Sequence, residues 1–279
     1  MVELGLFLID VLMYFVFAGA AYLIFYVILK NVLSHRIIQK KFEKNDRIFD
    51  EIKYSMSTLV IFTLNFAIVY QLQKRGLTRH YDLDFSNFTW QNAGYLLLSA
   101  VIMVFMHDTY FYWGHRLMHH PKIYRHVHQV HHRSTNPSPW AAFYFHPLEA
   151  FVEFGIIYVI IFTLPYNEIG ILMFYAYQLF INVMGHLSIE LFPARFSRTW
   201  FLKFHNSITH HNMHHKYFNY NYGLYFNIWD GIMNTVHPKY YETFEEVTGR
   251  PSPHEELALL KEKEKNNSDH LKGDNHIIA

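Results

Sequence analysis

The sequence predicts an all-α integral membrane protein with about four or five membrane helices and a helical cap on one side of the bilayer. Of the 279 residues, 51% are hydrophobic and only 17% are charged, whereas soluble domains carry about 25% charged residues. Several apolar runs are long enough to cross a bilayer as helices. The net charge of +1 gives no sign of a nucleic-acid-binding surface, so we expect no nucleic acid partner.

Residues 1–92 are predicted to form N-terminal membrane helices joined by a basic loop. Residues 4 to 29 are an apolar run interrupted only by Asp10, and about 20 apolar residues are enough to cross the hydrocarbon core. A second, shorter run extends from residue 56 to residue 72. The loop between them is rich in Lys and Arg, which is typical of the cytosolic side of a membrane.

Residues 93–240 are predicted to form the main domain. An apolar run from residue 93 to residue 113 begins it, and a helical hairpin follows, with arms at 151–164 and 168–185 separated by "PYN". The arms are short for membrane helices, and helices of a soluble core are the alternative. Residues 241–279 are a polar, charged tail, which we expect to be frayed or disordered from Ser252 onwards.

The order of the apolar runs predicts where the polar segments lie. If the first three helices cross the membrane, the segment after the third one emerges on the same side as the basic loop. The hairpin then returns the chain to that side. We therefore expect this segment and the region after the hairpin to share the cytosolic face, of the inner membrane in a bacterium or of the endoplasmic reticulum in a eukaryote.

Histidine is the residue that these cytosolic segments have in excess. The chain has 21 histidines and no cysteine, so a metal would have to be held by His, Asp or Glu. Residues three and four positions apart lie on one face of a helix, and we expect the rings of each histidine group to share such a face. The groups are His115 and His119; His128, His131 and His132; and His211, His214 and His215, with His186 at the end of the hairpin.

Three functions compete for these histidines. The first is a purely interfacial role at the membrane surface, which would need no such spacing. The second is a pH sensor, which would need only a few rings, because many converging charges repel one another. The third is metal coordination, which explains both the number of histidines and their spacing. One ion takes three or four histidines, so nine imidazoles suit two ions, and imidazole is a ligand for iron, zinc and copper.

A dinuclear metal site at a membrane surface favours oxygen chemistry on a lipid, because oxidation of an unactivated C–H bond requires a redox cofactor. A metal-binding or metal-transporting membrane protein is the alternative. It would need polar or acidic residues along a path through the membrane helices. The ionisable groups of the apolar runs are chiefly Asp10 and Glu153, which counts against transport.

Three segments resemble the fatty acid hydroxylase/sterol desaturase superfamily of membrane di-iron enzymes. They are "HDTYFYWGHRLMHHPKIYRHVHQVHH", "FHPLEA" and "HHNMHHKYFNYNYGLYFNIWD". The resemblance covers roughly residues 95 to 235 and marks residues 93–240 as the catalytic domain. It implies that two iron ions are bound, that O2 is the co-substrate and that a lipid, such as a fatty acyl chain or a sterol, is hydroxylated or desaturated.

The resemblance also implies roles for individual residues. Asp108 is expected to orient a ligand histidine through its free ring N–H, and His146 and His210 are expected to be positioning groups or further ligands. The last segment is most similar to the sterol C-5 desaturase branch, in which Gln typically follows the glycine; Leu224 stands there in this chain. The metal ligands that the resemblance implies are His115, His119, His128, His131, His132, His186, His211, His214 and His215.

The electrons are expected to come from a separate donor. The chain has no haem-attachment motif, no cysteines for an iron–sulfur cluster and no dinucleotide-binding fingerprint. The resemblance therefore implies a cytochrome b5-like or ferredoxin-like partner. Basic residues are candidates for its docking surface, although they equally suit a positive-inside marker. They are Lys122, Arg125, Arg133, Arg195, Arg198 and Lys203.

Overall fold

The computed structural model describes residues 2–42, 45–197 and 199–274. Within these ranges all regular secondary structure is helical. The α-helices are α1 (Val2–Tyr22), α2 (Asn45–Lys74), α3 (Trp90–Met118), α4 (Pro121–Val127), α5 (Pro147–Thr163), α6 (Glu168–Gly185), α7 (Trp200–Phe204), α8 (Ile208–Tyr217), α9 (Ile228–Ile232), α10 (Tyr240–Thr248) and α11 (Pro253–Asp274).

Four helical segments are long and apolar enough to cross a membrane. They are Phe7–Ile28, which continues α1 through a π-helical turn, and Arg47–Lys74, Trp90–Met118 and Glu168–Gly185. Large apolar side chains such as Leu12 and Leu97 point outwards from these helices, about 60% exposed, as lipid-facing residues do. The predicted all-α membrane architecture with four or five helices is confirmed.

The helices begin where the sequence supplies caps. Thr89 and Asn92 form a reciprocal capping box at the start of α3. Asn167 accepts a hydrogen bond from the Ile169 N–H at 2.9 Å and so caps α6. Pro147 occupies the first position of α5, where its missing N–H costs nothing. The ends of the membrane helices are therefore fixed by local sequence, which sets where the chain leaves the bundle.

The membrane helices pack as a bundle around an aromatic core. Helix α2 lies between α1 and α5, and α6 packs against α1 and α3. A short 3₁₀ helix, Pro139–Phe143, packs against α1, α2 and α6. The Phe62 ring meets Phe143 and Phe154 edge-on or tilted at about 5.5 Å, a favourable aromatic geometry.

The basic loop and the histidine region lie at the same end of the bundle. The Gln39 side chain donates to the Asn212 side chain at 3.0 Å, and the Arg36 guanidinium donates to the Phe192 carbonyl at 3.0 Å. The opposite end is closed by the segment after α2, where the Arg79 N–H donates to the Ile161 carbonyl at 2.9 Å. The basic loop and the histidine region thus lie on the same side of the bundle, as expected.

The C-terminal tail is more ordered than the sequence suggested. Helix α10 buries Tyr240, Phe244 and Val247 and packs against α8. Helix α11 was expected to be frayed or disordered, and this was wrong for residues 253–274, which are helical. Its start is stabilised by Ser252, whose N–H and hydroxyl both donate to Glu255 at 2.7 Å, a capping interaction that charge content alone does not reveal. Residues 275–279 lie outside the described residues.

Candidate metal centre

The histidines come together in two compact clusters. In each cluster, one ligand atom from every ring lies within 4.8 Å of those of the other members, a geometry that could hold a metal ion. Each of the nine histidines that the sequence singles out as ligands belongs to one of the two clusters. The five-histidine cluster is His115, His119, His128, His132 and His214, and the four-histidine cluster is His131, His186, His211 and His215.

The second histidine group does not lie on one helical face, as was expected. Helix α4 ends at Val127, and His131–Arg133 form a 3₁₀ helix after a turn. In this irregular segment His128 and His132 reach the five-histidine cluster, while His131 reaches the other one. The expectation failed because the spacing was read as a continuous α-helix, whereas the backbone changes direction between the rings.

The third group is helical, yet its rings also separate. Helix α8 carries His211 and His215 into the four-histidine cluster and His214 into the five-histidine cluster. Adjacent residues of an α-helix point about 100° apart, so a helix between two clusters can serve both. The expectation of one shared face was therefore wrong for this group too.

Hydrogen bonds from the Nδ1 atoms fix the orientation of most rings. A backbone carbonyl can only accept a hydrogen bond, so an Nδ1 atom in contact with it carries the proton, and in a neutral ring the Nε2 atom then presents a lone pair. The pairs are His115 with Tyr222 at 2.8 Å, His131 with Tyr144 at 3.3 Å, His186 with Asn182 at 2.7 Å, His214 with Tyr220 at 2.7 Å and His215 with Ser134 at 2.8 Å.

The Nε2 atoms face one another within each cluster. His115 and His128 are 2.9 Å apart at these atoms, and the Nδ1 atom of each of these rings is already in another hydrogen bond. Two lone pairs at such distances repel unless a cation lies near both. Protons are poor candidates, because burial holds the pKa of His128 and His211 well below the ordinary value. The donor sets therefore fit metal ions.

A buried carboxylate supports the ring of His128. Its Nδ1 atom lies 2.6 Å from Glu149 Oε1, and both side chains are almost fully buried. Such a carboxylate orients a ligand histidine and raises its basicity. Glu149 was not predicted from the sequence, although it lies in the quoted "FHPLEA", where an acid in the first turn of an apolar helix is the available signal.

Asp108 does not have the role expected of it. Its Oδ1 atom accepts hydrogen bonds from the backbone N–H groups of Tyr225 and Phe226, both at 3.1 Å. It lies seven residues before His115 on α3, about 10 Å along the axis, which is too far to reach that ring. The predicted contact with a ligand histidine was therefore wrong. Asp108 instead fastens the segment after α8 to the bundle.

His146 and His210 lie outside both clusters. His146 caps α5, because its Nδ1 atom accepts a hydrogen bond from the Leu148 N–H at 3.2 Å, and it thereby helps to place Glu149 on the first turns of that helix. His210 is fully buried beside Asp230, at 3.6 Å, and burial lowers its pKa to about 4. Of the two roles considered, this geometry favours positioning over direct ligation.

Asp230 and Gly223 shape the loop whose carbonyls hold the rings of His115 and His214. The Asp230 carboxylate accepts from the N–H groups of Tyr222 and Gly223 at 2.9 and 2.7 Å. A Cβ atom at Gly223 would lie 2.5 Å from the Phe226 carbonyl oxygen and 3.0 Å from Asp230 Oδ2. The loop therefore needs glycine at this position.

Gly223→Ala is expected to lower the free energy of unfolding by about 1–3 kcal/mol, because backbone must shift to admit the methyl group. The carbonyl of Tyr222 shifts with it, so metal occupancy should fall as well. Thermal unfolding in detergent and metal analysis measure both effects. Gly231→Ala is the control, since its Cβ would meet nothing within 4 Å; equal effects of the two substitutions would contradict the steric argument.

Known proteins that are similar in sequence support the assignment of this site. The family described as fatty acid hydroxylase matches residues 100–235, a range that contains all nine clustered histidines. Lathosterol oxidase of Rattus norvegicus is 30% identical over 236 residues, covering 84% of this chain and 74% of the rat protein. A Delta(7)-sterol 5(6)-desaturase of Gibberella zeae is 32% identical over 215 residues, covering 76% of this chain and 62% of that protein.

Human lathosterol oxidase is 28% identical over 202 residues, 72% of this chain and 65% of the human protein. No solved structure matches the chain. The sequence resemblance is thus confirmed by the matched family and by relatives that span most of the chain. The chain belongs to the fatty acid hydroxylase/sterol desaturase superfamily of membrane oxidoreductases, in its sterol C-5 desaturase branch.

Proposed function

We propose that the two histidine clusters hold two iron ions and that the protein uses O2 and external electrons to desaturate or hydroxylate a sterol or a related lipid. The observation that carries this proposal is the division of nine buried histidines into sets of five and four, each large enough for one ion. The printed names of the relatives, an oxidase and desaturases acting on sterols, support the sterol as substrate.

Bound iron would supply the redox chemistry that removes hydrogen from an unactivated carbon. The chain itself orients the ligands through their Nδ1 hydrogen bonds and excludes bulk water. Eight of the nine histidines are buried, and aromatic rings lie against them: Phe145 is 5.3 Å from His131, and Tyr222 is 5.2 Å from His119, between ring centroids. Such enclosure protects a reactive centre from side reactions with water.

The electron donor is proposed to approach the five-histidine cluster at His119. This is the partly exposed member of the two clusters, and its ring lies 5.6 Å from Tyr124 of α4. Exposed cations lie on α4 and in the 3₁₀ helix after it, in agreement with an acidic cytochrome b5-like or ferredoxin-like partner on the cytosolic side. They include Lys122, Arg125 and Arg133. Arg195 and Lys203 are also exposed, and Arg198 lies outside the described residues.

Lipid mass spectrometry tests the proposed reaction. Membranes that contain the protein, an electron-donor system and lathosterol should form a product that lacks two hydrogens if desaturation occurs, or one that has gained an oxygen atom if hydroxylation occurs. Both products require O2. Membranes with the His214→Ala variant are the control and should form neither. If the wild-type protein loaded with iron left lathosterol and the endogenous lipids unchanged, the proposal would be overturned.

A further inference from the structure

Glu153 is an acidic residue inside the helix bundle that the metal centre does not use. It lies on α5, one turn after Glu149, and lines a cavity of about 30 Å³ between α2, α3, α5 and α6, here called the inner cavity. Within the part of the chain that the structure describes, Glu153 makes no hydrogen bond or ion pair. An unpaired acid within an apolar helix bundle is costly, which makes it a candidate for function.

Two further polar side chains of the inner cavity also have no partner. The Gln178 amide on α6 makes no hydrogen bond with any described residue, and the Tyr175 hydroxyl is buried without a hydrogen-bond partner. The rest of the wall is mostly aromatic, with Phe62, Phe143 and Phe174 among its members. An apolar pocket with a few converging polar groups is the usual form of a small-molecule site.

The inner cavity lies directly beside the four-histidine cluster. Phe145 lines this cavity, and its ring also contacts His131, with the two ring centroids 5.3 Å apart. A ligand group in the inner cavity is therefore separated from this cluster by the Phe145 ring. The volume of about 30 Å³ has room for one small polar group, since a water molecule occupies a comparable volume.

A larger, mostly apolar cavity, which Asp10 and Glu168 also line, continues from the inner one towards the opposite end of the bundle. This outer cavity has a volume of about 420 Å³ and lies between α1, α2, α5 and α6. It shares Phe66, Ile157 and Tyr175 with the inner cavity, so these three side chains form the wall between them. Rotation of this wall would join a polar site near the metals to an apolar space of lipid size.

We propose that Glu153 and Gln178 bind the hydroxyl group of the lipid substrate, while the outer cavity holds its apolar body. The carbonyl oxygen of the Glu153 carboxyl group accepts the hydroxyl hydrogen, and the Gln178 amide donates to the hydroxyl oxygen. In a sterol the hydroxyl is on carbon 3, two bonds from carbon 5, so its binding holds the neighbouring ring carbons close to the four-histidine cluster. This assignment rests on the proposed function and names the residues that select its substrate.

Equilibrium binding to the iron-loaded protein in detergent tests this assignment without turnover. The probes are lathosterol and its 3-O-methyl ether, which has the same skeleton but cannot donate a hydrogen bond. A hydrogen bond between uncharged groups corresponds to a preference of about 2- to 10-fold for lathosterol in the wild-type protein. Glu153→Leu should abolish this preference by weakening lathosterol binding alone, whereas Gln178→Leu should weaken both ligands.

Three controls make the outcomes unambiguous. Glu242→Leu makes the same change at an exposed position of α10 and should leave the preference intact. Glu153→Gln keeps a hydrogen-bond acceptor and should retain part of the preference, and it replaces Glu153→Leu if that variant fails to fold. Iron content, measured on each variant, should stay at the wild-type value.

Equal binding of the two probes by the wild-type protein, or binding of neither, would overturn the assignment. An undiminished preference in Glu153→Leu would overturn it as well. A wild-type protein that prefers lathosterol through Glu153 but leaves it chemically unchanged would refute the proposed function and leave this binding site standing. The two proposals therefore fail in distinguishable ways.

Discussion

His214→Ala is expected to empty the five-histidine cluster and to lower turnover by more than about 100-fold, a larger loss than the removal of an outer partner of a ligand causes. The His214 Nε2 atom lies 3.0 Å from His132 Nε2 and 3.2 Å from His119 Nε2. Alanine removes a donor from the middle of this set. Bound iron should fall from two ions per chain to one or fewer.

Metal analysis of purified protein and product formation from lathosterol measure the two effects. His126→Ala is the matched control, because His126 is exposed and its side chain accepts a hydrogen bond from the neighbouring Arg125 rather than reaching either cluster. His131→Ala should cause a comparable loss through the four-histidine cluster. If His214→Ala or His131→Ala kept full iron content and turnover, the assignment of ligands would be wrong.

Glu149→Leu is expected to weaken metal binding and turnover by about 10- to 100-fold. The substitution keeps the approximate volume but leaves the buried His128 Nδ1–H, now 2.6 Å from a carboxylate oxygen, without an acceptor. A buried donor that loses its partner costs about 1–3 kcal/mol. Titration of the metal-free protein with Fe²⁺ under anaerobic conditions measures the affinity directly.

The conservative variant separates positioning from simple packing. Glu149→Gln retains an amide oxygen that can accept from His128, so it should recover much of the affinity that Glu149→Leu loses. Glu242→Leu, at an exposed site on α10, should have no effect. Equal affinity of Glu149→Leu and the wild-type protein for Fe²⁺ would show that this carboxylate does not support the metal centre.

The sequence predicted the membrane helices and the set of clustered histidines well. Apolar runs must satisfy their backbone hydrogen bonds internally within a membrane, so composition alone points to helices there. The histidines were recognisable because few other functions bring so many imidazoles together. For both features the signal is local, and no knowledge of the packing was needed.

Features that depend on packing were predicted less well. The partner of His128 is Glu149, 21 residues later in the chain, whereas the resemblance had pointed to Asp108, in the family-like segment just before His115. The separation of neighbouring histidines into two clusters depends on the turn after α4 and on where α8 lies between the clusters. The inner cavity beside Glu153 is lined by four different α-helices, and no spacing in the sequence describes such a space.

Two adjacent pairs, His131–His132 and His214–His215, each divide between the clusters. One backbone unit thus ties a ligand of one proposed iron to a ligand of the other. Ordering either pair around the first ion restricts the conformations open to the second ligand set, so the second ion binds with a smaller loss of chain entropy. We therefore expect uptake of the two ions to be cooperative, with chains that hold one ion as a minor species in a titration.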